Sequence, residues 1–248
     1  MTQTVLIEKN NGVLTLTINR PERRNALDIA TYLGLAEQVW AAGEDKDIRA
    51  IVLTGANHYF TAGNDLKDFQ APRPDGDSAG IKFLRSLADC DLPIVAAVEG
   101  SAIGIGVTML QHIDFIYAAD NATFKIPFVP LGLCPEGASS MLMAQIVGPR
   151  RATDWLLRGR PFSAQEALEA RFITAICPAG STLQTAREIA AELAALPPEA
   201  MQLSKRMLKH SLRPKIHSAF DYEWVHFNER LKSSEAQAAF ASFLNKSK

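Results

Sequence analysis

The chain has 248 residues, enough to bury a large apolar interior, either as one domain or as a core with a small appendage. Hydrophobic residues make up 47% and charged residues 21%, and the net charge of −1 gives no overall reason to hold nucleic acid or an anionic membrane. The three cysteines, Cys90, Cys134 and Cys177, are widely spaced with no Cys-x-x-Cys pair, and no run reaches the ~18 apolar residues of a membrane span, so a cytoplasmic protein without disulfides or metal is expected.

Two apolar runs, 5–9 and 13–18, flank Asn10-Asn11-Gly12, which is the pattern of a hairpin with a tight turn. A helix is predicted from about Asp28, with Ile29, Leu33, Ala36 and Trp40 on one apolar face. Residues 50–54 form a short apolar strand ending at Gly55, and a loop through Gly63 follows. A helix over 79–87 and a strand over 94–98 lead into a second glycine loop at 99–106, then a helix over 107–111 and a strand over 113–118. Repeated strand-then-helix units of this kind predict α/β architecture with a largely parallel sheet, whose ligands sit in the loops after the strands. Ser163 and Glu166 have capping-box spacing and start another helix, and 174–177 is a last strand.

Beyond Pro178 the sequence turns helical. Leu183, Ala186, Ile189, Leu193 and Leu196 form one stripe; Ala200, Leu203 and Met207 form another; Phe220, Trp224, Phe227 and Leu231 form a third. A final helix starts at Ser234 and carries Phe240, Phe243 and Leu244. Such stripes belong to a core or to a subunit interface. They place a soft boundary near residue 195, between an α/β core over 1–195 and a helical segment over 196–248.

The chemistry is placed at Glu136. It lies between Pro135, which restricts the backbone, and Gly137, which frees it, at the mouth of an apolar helix predicted over 138–147. Apolar neighbours there would desolvate a carboxylate and raise its pKa toward that of a proton-transfer base. The two glycine loops, Ala62-Gly63-Asn64 and Gly104-Ile105-Gly106, each offer backbone N–H groups to a developing negative charge. A dinucleotide fingerprint fails because the third glycine is missing, and no Gly-x-Ser-x-Gly nucleophile elbow occurs.

Asn19-Arg20-Pro21 with Asn25-Ala26-Leu27, then Phe60-x-Ala62-Gly63-x-Asp65-Leu66, then Val98-x-Gly100-x-Ala102-x-Gly104-x-Gly106, resemble in this order the enoyl-CoA hydratase/isomerase, or crotonase, superfamily. The resemblance implies a spiral of ββα units, a C-terminal helical segment used in trimerisation, and a thioester carbonyl held by the backbone N–H groups of Asn64 and Ile105. The positions where hydratases of this family carry two glutamates hold Thr108 and Phe128. By contrast Pro127-Phe128, Leu131-Gly132 and Cys134-Pro135-Glu136-Gly137-x-Ser139-Ser140 resemble the peroxisomal-type Δ3,Δ2-enoyl-CoA isomerases, and Glu136 falls on their single catalytic glutamate.

The implied activity is isomerisation of 3-enoyl-CoA to trans-2-enoyl-CoA in fatty-acid β-oxidation, with the coenzyme A thioester as substrate and no further cofactor. A hydratase, another crotonase reaction such as ring isomerisation or hydrolysis, and a silent acyl-CoA-binding module remain the alternatives. The resemblance further implies an acyl-CoA site lined by Ala62, Gly63, Asp65, Leu66, Lys67, Gly104 and Phe128, with Phe243 and Lys246 lent by a neighbouring subunit of a homotrimer or hexamer.

Overall fold

The computed structural model describes residues 3–65 and 76–246, the side chains of 243–246 excepted. Strands β1 (Val5–Asn10) and β2 (Val13–Ile18) form the expected antiparallel hairpin. Its turn residues Asn11 (φ 47°) and Gly12 (φ 82°) are both left-handed, as a two-residue turn matched to strand twist requires. Helix α1 (Ile29–Glu44) begins where the Asp28 side chain accepts the Thr31 N–H, and returns the chain to β3 (Ala50–Gly55).

The next crossover carries α2 (Ala79–Asp89) and delivers β4 (Ile94–Val98). With β6 (Phe115–Ala119) and β9 (Ala175–Cys177) these strands complete a sheet of order β1-β2-β3-β4-β6-β9, parallel from β2 onward. A small second sheet joins β5 (Ser101–Ile103), β7 (Thr123–Lys125) and β8 (Pro161–Ser163), the last running into α6 (Ala164–Glu169), which Ser163 and Glu166 cap as expected. These three-residue strands are too short to show a period and were not expected from the sequence. A stack of Trp155 on Phe162, centroids 3.7 Å apart, with Phe124 and Phe172, holds this sheet to α5 (Pro149–Arg158).

The β3 and β4 runs are apolar because both faces are covered, except for the buried Thr54, whose hydroxyl donates to the Ala97 carbonyl (3.1 Å). Ile51, Leu53, Ile94, Ala96 and Val98 face the main core with α1 and α2. Ala50, Val52, Val95 and Ala97 face α7 (Thr182–Ala194), which seats Ala186, Ala190 and Ala194 against them.

Three predicted stripes are corrected. In α1 the buried residues are Tyr32, Leu35, Ala36, Val39 and Ala42, whereas Ile29, Leu33 and Trp40 are exposed. In α7 the buried line is the alanine row, with Leu183, Ile189 and Leu193 at its margins and Leu196 exposed. In α8 (Pro198–Lys209) Leu203 and Met207 are exposed and Lys205 is buried, its ammonium donating to the Leu92 carbonyl (2.5 Å) and to Asp114 (2.6 Å). Helical spacing finds an apolar row but cannot say which row meets the sheet. The aromatic stripe stands: Phe220, Phe227 and Leu231 of α9 (Arg213–Leu231) and Phe240 of α10 (Ser234–Lys246) belong to the main core, with Trp224 packed against it. Helix α9 lies on α2 and on α4 (Ser139–Val147).

Candidate active site

Parallel strands leave β3 and β4 side by side, so their following loops meet. Phe60 N–H donates to the Glu99 carbonyl (2.7 Å), Thr61 N–H to Ser101 (3.0 Å) and Ile103 N–H to Thr61 (3.1 Å). Contact is so close that a Cβ on Gly63 (φ 86°) would fall 2.5 Å from the Ile103 oxygen, and only glycine fits there.

The 20–28 segment fixes the first loop from its other side. Asn25 is fully buried; its amide donates to the Ala56 (2.8 Å) and Tyr59 (2.7 Å) carbonyls and its oxygen accepts the Arg20 N–H. Thr61 Oγ1 donates to the Asn25 carbonyl and accepts the Gly63 N–H. Leu27 N–H bonds the Gly63 carbonyl (2.8 Å) and Asp65 N–H bonds that of Leu27 (2.9 Å). The Arg20 guanidinium pairs with Asp65 (3.1 Å) and Asp28 (3.2 Å), so the Asp65 carboxylate serves this clamp.

This leaves the two amides singled out from sequence. Among the described residues, the N–H of neither Asn64 nor Ile105 donates to a protein acceptor. Ile105 opens the single-turn helix α3 (Ile105–Thr108), where first-turn N–H groups point outward. The Asn64 side chain is engaged separately, its Oδ1 accepting the Tyr32 hydroxyl at 2.6 Å. Nothing in the sequence pairs Tyr32 with Asn64, because α1 and the loop meet only through the fold.

At the far end of α3, Thr108 Oγ1 donates to Glu136 Oε1 at 2.5 Å. One helical turn, a rise of ~5 Å, thus separates the Ile105 N–H from the residue that holds the carboxylate. Glu136 is 7% exposed, and burial, with the nearby Glu223 charge, pushes its pKa up to about 8 against the opposing Thr108 hydrogen bond. Among the described residues its second oxygen, Oε2, accepts no hydrogen bond.

The Glu136 turn is tightly specified. Ser139 Oγ donates to the Glu136 carbonyl (2.5 Å), and the His112 ring donates Nε2–H to that of Gly137 (3.0 Å). Burial pushes the His112 pKa down to about 3, so the ring is a neutral donor. Gly137 (φ 77°) is required because a Cβ would lie 2.9 Å from that of Thr108. From α9 the buried Glu223 accepts the N–H groups of Ala138 (2.6 Å) and Ser140 (2.8 Å). Sequence reasoning missed Glu223 entirely, since it occurs inside a helical stripe with no local motif.

The remaining predicted residues are distributed as follows. Phe128 is buried edge-on to Phe227, centroids 6.1 Å apart, and lies beneath Gly104 (φ 56°). Ala62 is half-buried, its N–H on the Arg24 carbonyl. Leu66 and Lys67 lie outside the described residues. Phe243 and Lys246 are on α10, where their side chains lie outside the description. Among the described residues no group of three or more His, Cys, Asp or Glu could hold a metal ion, and no helix is long and apolar enough to cross a membrane.

Two glycine loops presenting two open amides, with the Glu136 carboxylate held one helical turn beyond Ile105, can serve acyl transfer or the stabilisation of an enolate. The chain belongs to the enoyl-CoA hydratase/isomerase family, which it matches over residues 8–248. It is 34% identical to human enoyl-CoA delta isomerase 2 over 98% of its own length, spanning 64% of that relative, just under two thirds. It is 30% identical to 2,3-dehydroadipyl-CoA hydratase of Escherichia coli K12, covering 98% of this chain and 96% of that one. The crystal structure of an enoyl-CoA hydratase/isomerase from Pseudoalteromonas atlantica superposes with a TM-score of 0.95 at 40% identity, covering 98% of each chain. The expected crotonase fold is therefore established.

Proposed function

We propose that the protein isomerises 3-enoyl-CoA to trans-2-enoyl-CoA, with Glu136 as the single proton shuttle. The Glu136 carboxylate would take a proton from C2 while the Asn64 and Ile105 N–H groups hold the thioester oxygen as negative charge develops on the dienolate. The same carboxyl group would return the proton at C4. Atoms and charge balance without water or a further cofactor, and such a step would serve the β-oxidation of unsaturated acyl chains.

The observation that carries this reading is the inventory of acids. Glu136 has one oxygen held by Thr108 and the other unengaged, whereas both oxygens of Glu223 accept backbone N–H groups. Of these two buried glutamates, Glu136 is the one with an oxygen free for proton transfer among the described residues. A pKa of about 8 suits a group that must take and then release a proton near neutrality.

Hydration is the second reading, favoured by the 30% identity to a hydratase. Incubation with 3-enoyl-CoA and, separately, with 2-enoyl-CoA decides between them. Formation of 2-enoyl-CoA from the first supports isomerisation; conversion only of the second, to a 3-hydroxy product, overturns it.

The acyl-CoA site we propose comprises Ala62, Gly63, Asp65, Leu66, Lys67, Gly104 and Phe128, completed by Phe243 and Lys246 of a neighbouring subunit. Asp65 would act there through its Arg20 pair. Residues 196–248 would form the contacts of a trimer or hexamer, a role supported by the exposed Leu203, Met207 and Leu208 of α8 and Tyr222 and Val225 of α9.

A further inference from the structure

Helix α9 touches the segment that carries Glu136 at three successive turns. Glu223 accepts the Ala138 and Ser140 N–H groups, Phe227 meets Phe128 edge-on, and Arg230 Nε donates to the Gly132 carbonyl at 2.9 Å. Positions 223, 227 and 230 fall on one helix face. The first contact is the one nearest the chemistry. Helix α4 has no N-cap side chain of its own: its cap residue is Ala138, left-handed at φ 61° and ψ 19°. A left-handed alanine is disfavoured unless its surroundings hold it. The cap comes instead from Glu223, a residue 85 positions away, 4% exposed, with one oxygen on each N–H.

We propose that Glu223 is a positioning residue for the reaction: by capping α4 from α9 it holds the left-handed turn at Ala138 and aims the Glu136 carboxylate at the two loop amides. This rests on the reading of Glu136 as the proton shuttle. A second consequence is electrostatic. The groups facing this pair are the Thr108 hydroxyl from α3, Cys134 on the Glu136 segment, the neutral His112 beneath Gly137, and Arg230 of α9 at Gly132. Of these, only Thr108 bonds the Glu136 carboxylate, and the Glu223 charge acts on it in the opposite sense by favouring the protonated form.

Glu223→Gln keeps the shape, loses the charge and can accept only one of the two N–H groups. The expected result is a kcat for 3-enoyl-CoA lowered roughly 10- to 100-fold with KM within about threefold, because the carboxylate is misaimed and substrate contacts remain. The acid limb of kcat/KM should move to lower pH. Amide hydrogen exchange over 136–140 should quicken about tenfold or more, with the sheet unaffected. Glu223→Asp, which keeps the charge but draws the carboxylate back by one methylene from the Ala138 and Ser140 N–H groups, serves as a second variant should the first not fold; a smaller loss, about 3- to 10-fold in kcat at unchanged KM, with the acid limb in place, is expected.

Unchanged kcat and an unmoved limb in folded Glu223→Gln, or in its absence unchanged kcat in Glu223→Asp, would reduce the contact to plain structural support and overturn the proposal. So would a rise in KM alone. Unaltered exchange over 136–140 in Glu223→Gln would do the same without reference to any activity. Wild-type turnover in Glu136→Gln is a separate result: it would overturn the shuttle reading while leaving the exchange measurement to judge the cap.

Discussion

Replacing Thr108 by valine removes one hydroxyl and keeps the shape of a fully buried side chain. That hydroxyl donates to Glu136 Oε1 at 2.5 Å and favours the ionised carboxylate in a site whose burial favours the neutral one. A hydrogen bond to a charged acceptor is worth about 1.5–3 kcal/mol, and one pH unit corresponds to about 1.4 kcal/mol, so its loss moves the Glu136 titration up by about one to two pH units. The base exists only above its pKa, so kcat/KM rises with pH through the acid limb. With the wild-type pKa at about 8, roughly one molecule in ten is ionised at pH 7; in the variant this falls to about one in a hundred or fewer. Thr108→Val should therefore lose about 10- to 100-fold in kcat/KM at pH 7 and recover most of it at high pH. A pH profile of isomerisation from pH 6 to 10 reads this directly. An unmoved limb with uniformly lowered activity would refute the reasoning, since Thr108 would then act by packing alone.

Glu136→Gln should lower isomerisation by about 10²–10⁴-fold with acyl-CoA affinity nearly unchanged, measured by single-turnover kinetics and calorimetry. It should also raise Tm above that of the wild type near pH 9, because the native pKa of about 8 exceeds its ordinary 4.5, and the stability this group contributes is lost as pH rises through that interval. Asn64→Pro deletes the proposed donor and should cost about 3 kcal/mol in the transition state, whereas Asn64→Ala and Tyr32→Phe, which break the 2.6 Å side-chain anchor and leave the backbone N–H in place, should be mild; equal damage in all three would mean the side chain itself acts. Lys67→Ala and Lys246→Ala should each raise KM with little change in kcat, and CoA titrations at two ionic strengths should show weaker salt dependence in the double variant than in the wild type.

The sequence by itself determined the architecture and singled out the segments that make up the candidate site. Apolar runs of five or six residues alternating with helical periods dictate a parallel sheet covered on both faces, and β2, β3, β4, β6 and β9 form one. Local chemistry was equally legible: Asn11-Gly12 demands a tight turn, Asp28 and Ser163 cap the helices they precede, Gly63 announces a backbone that comes close to another, and Gly104 a left-handed one. Each of these signals is decided within a few residues, where backbone sterics and hydrogen bonding act without knowledge of the rest of the chain.

What the sequence could not decide was which face of a helix meets its neighbour, and which distant groups share a cavity. The rows Ile29, Leu33 and Trp40 in α1 and Leu203 and Met207 in α8 have the spacing of a buried stripe and face outward. Lys205 reads as a surface charge and is buried against Asp114. The apparent apolarity of a row is a local property; docking depends on the sheet's shape and on what else competes for it. The same holds at the site. Glu136 was recognisable as an acid between Pro135 and Gly137, but its partner Thr108 is 28 positions away and the Glu223 cap lies farther still along the chain. Only the tertiary structure removes water from these groups and brings their charges within reach of one another. That is the physical reason a glutamate of ordinary sequence context acquires, in this fold, a pKa of about 8.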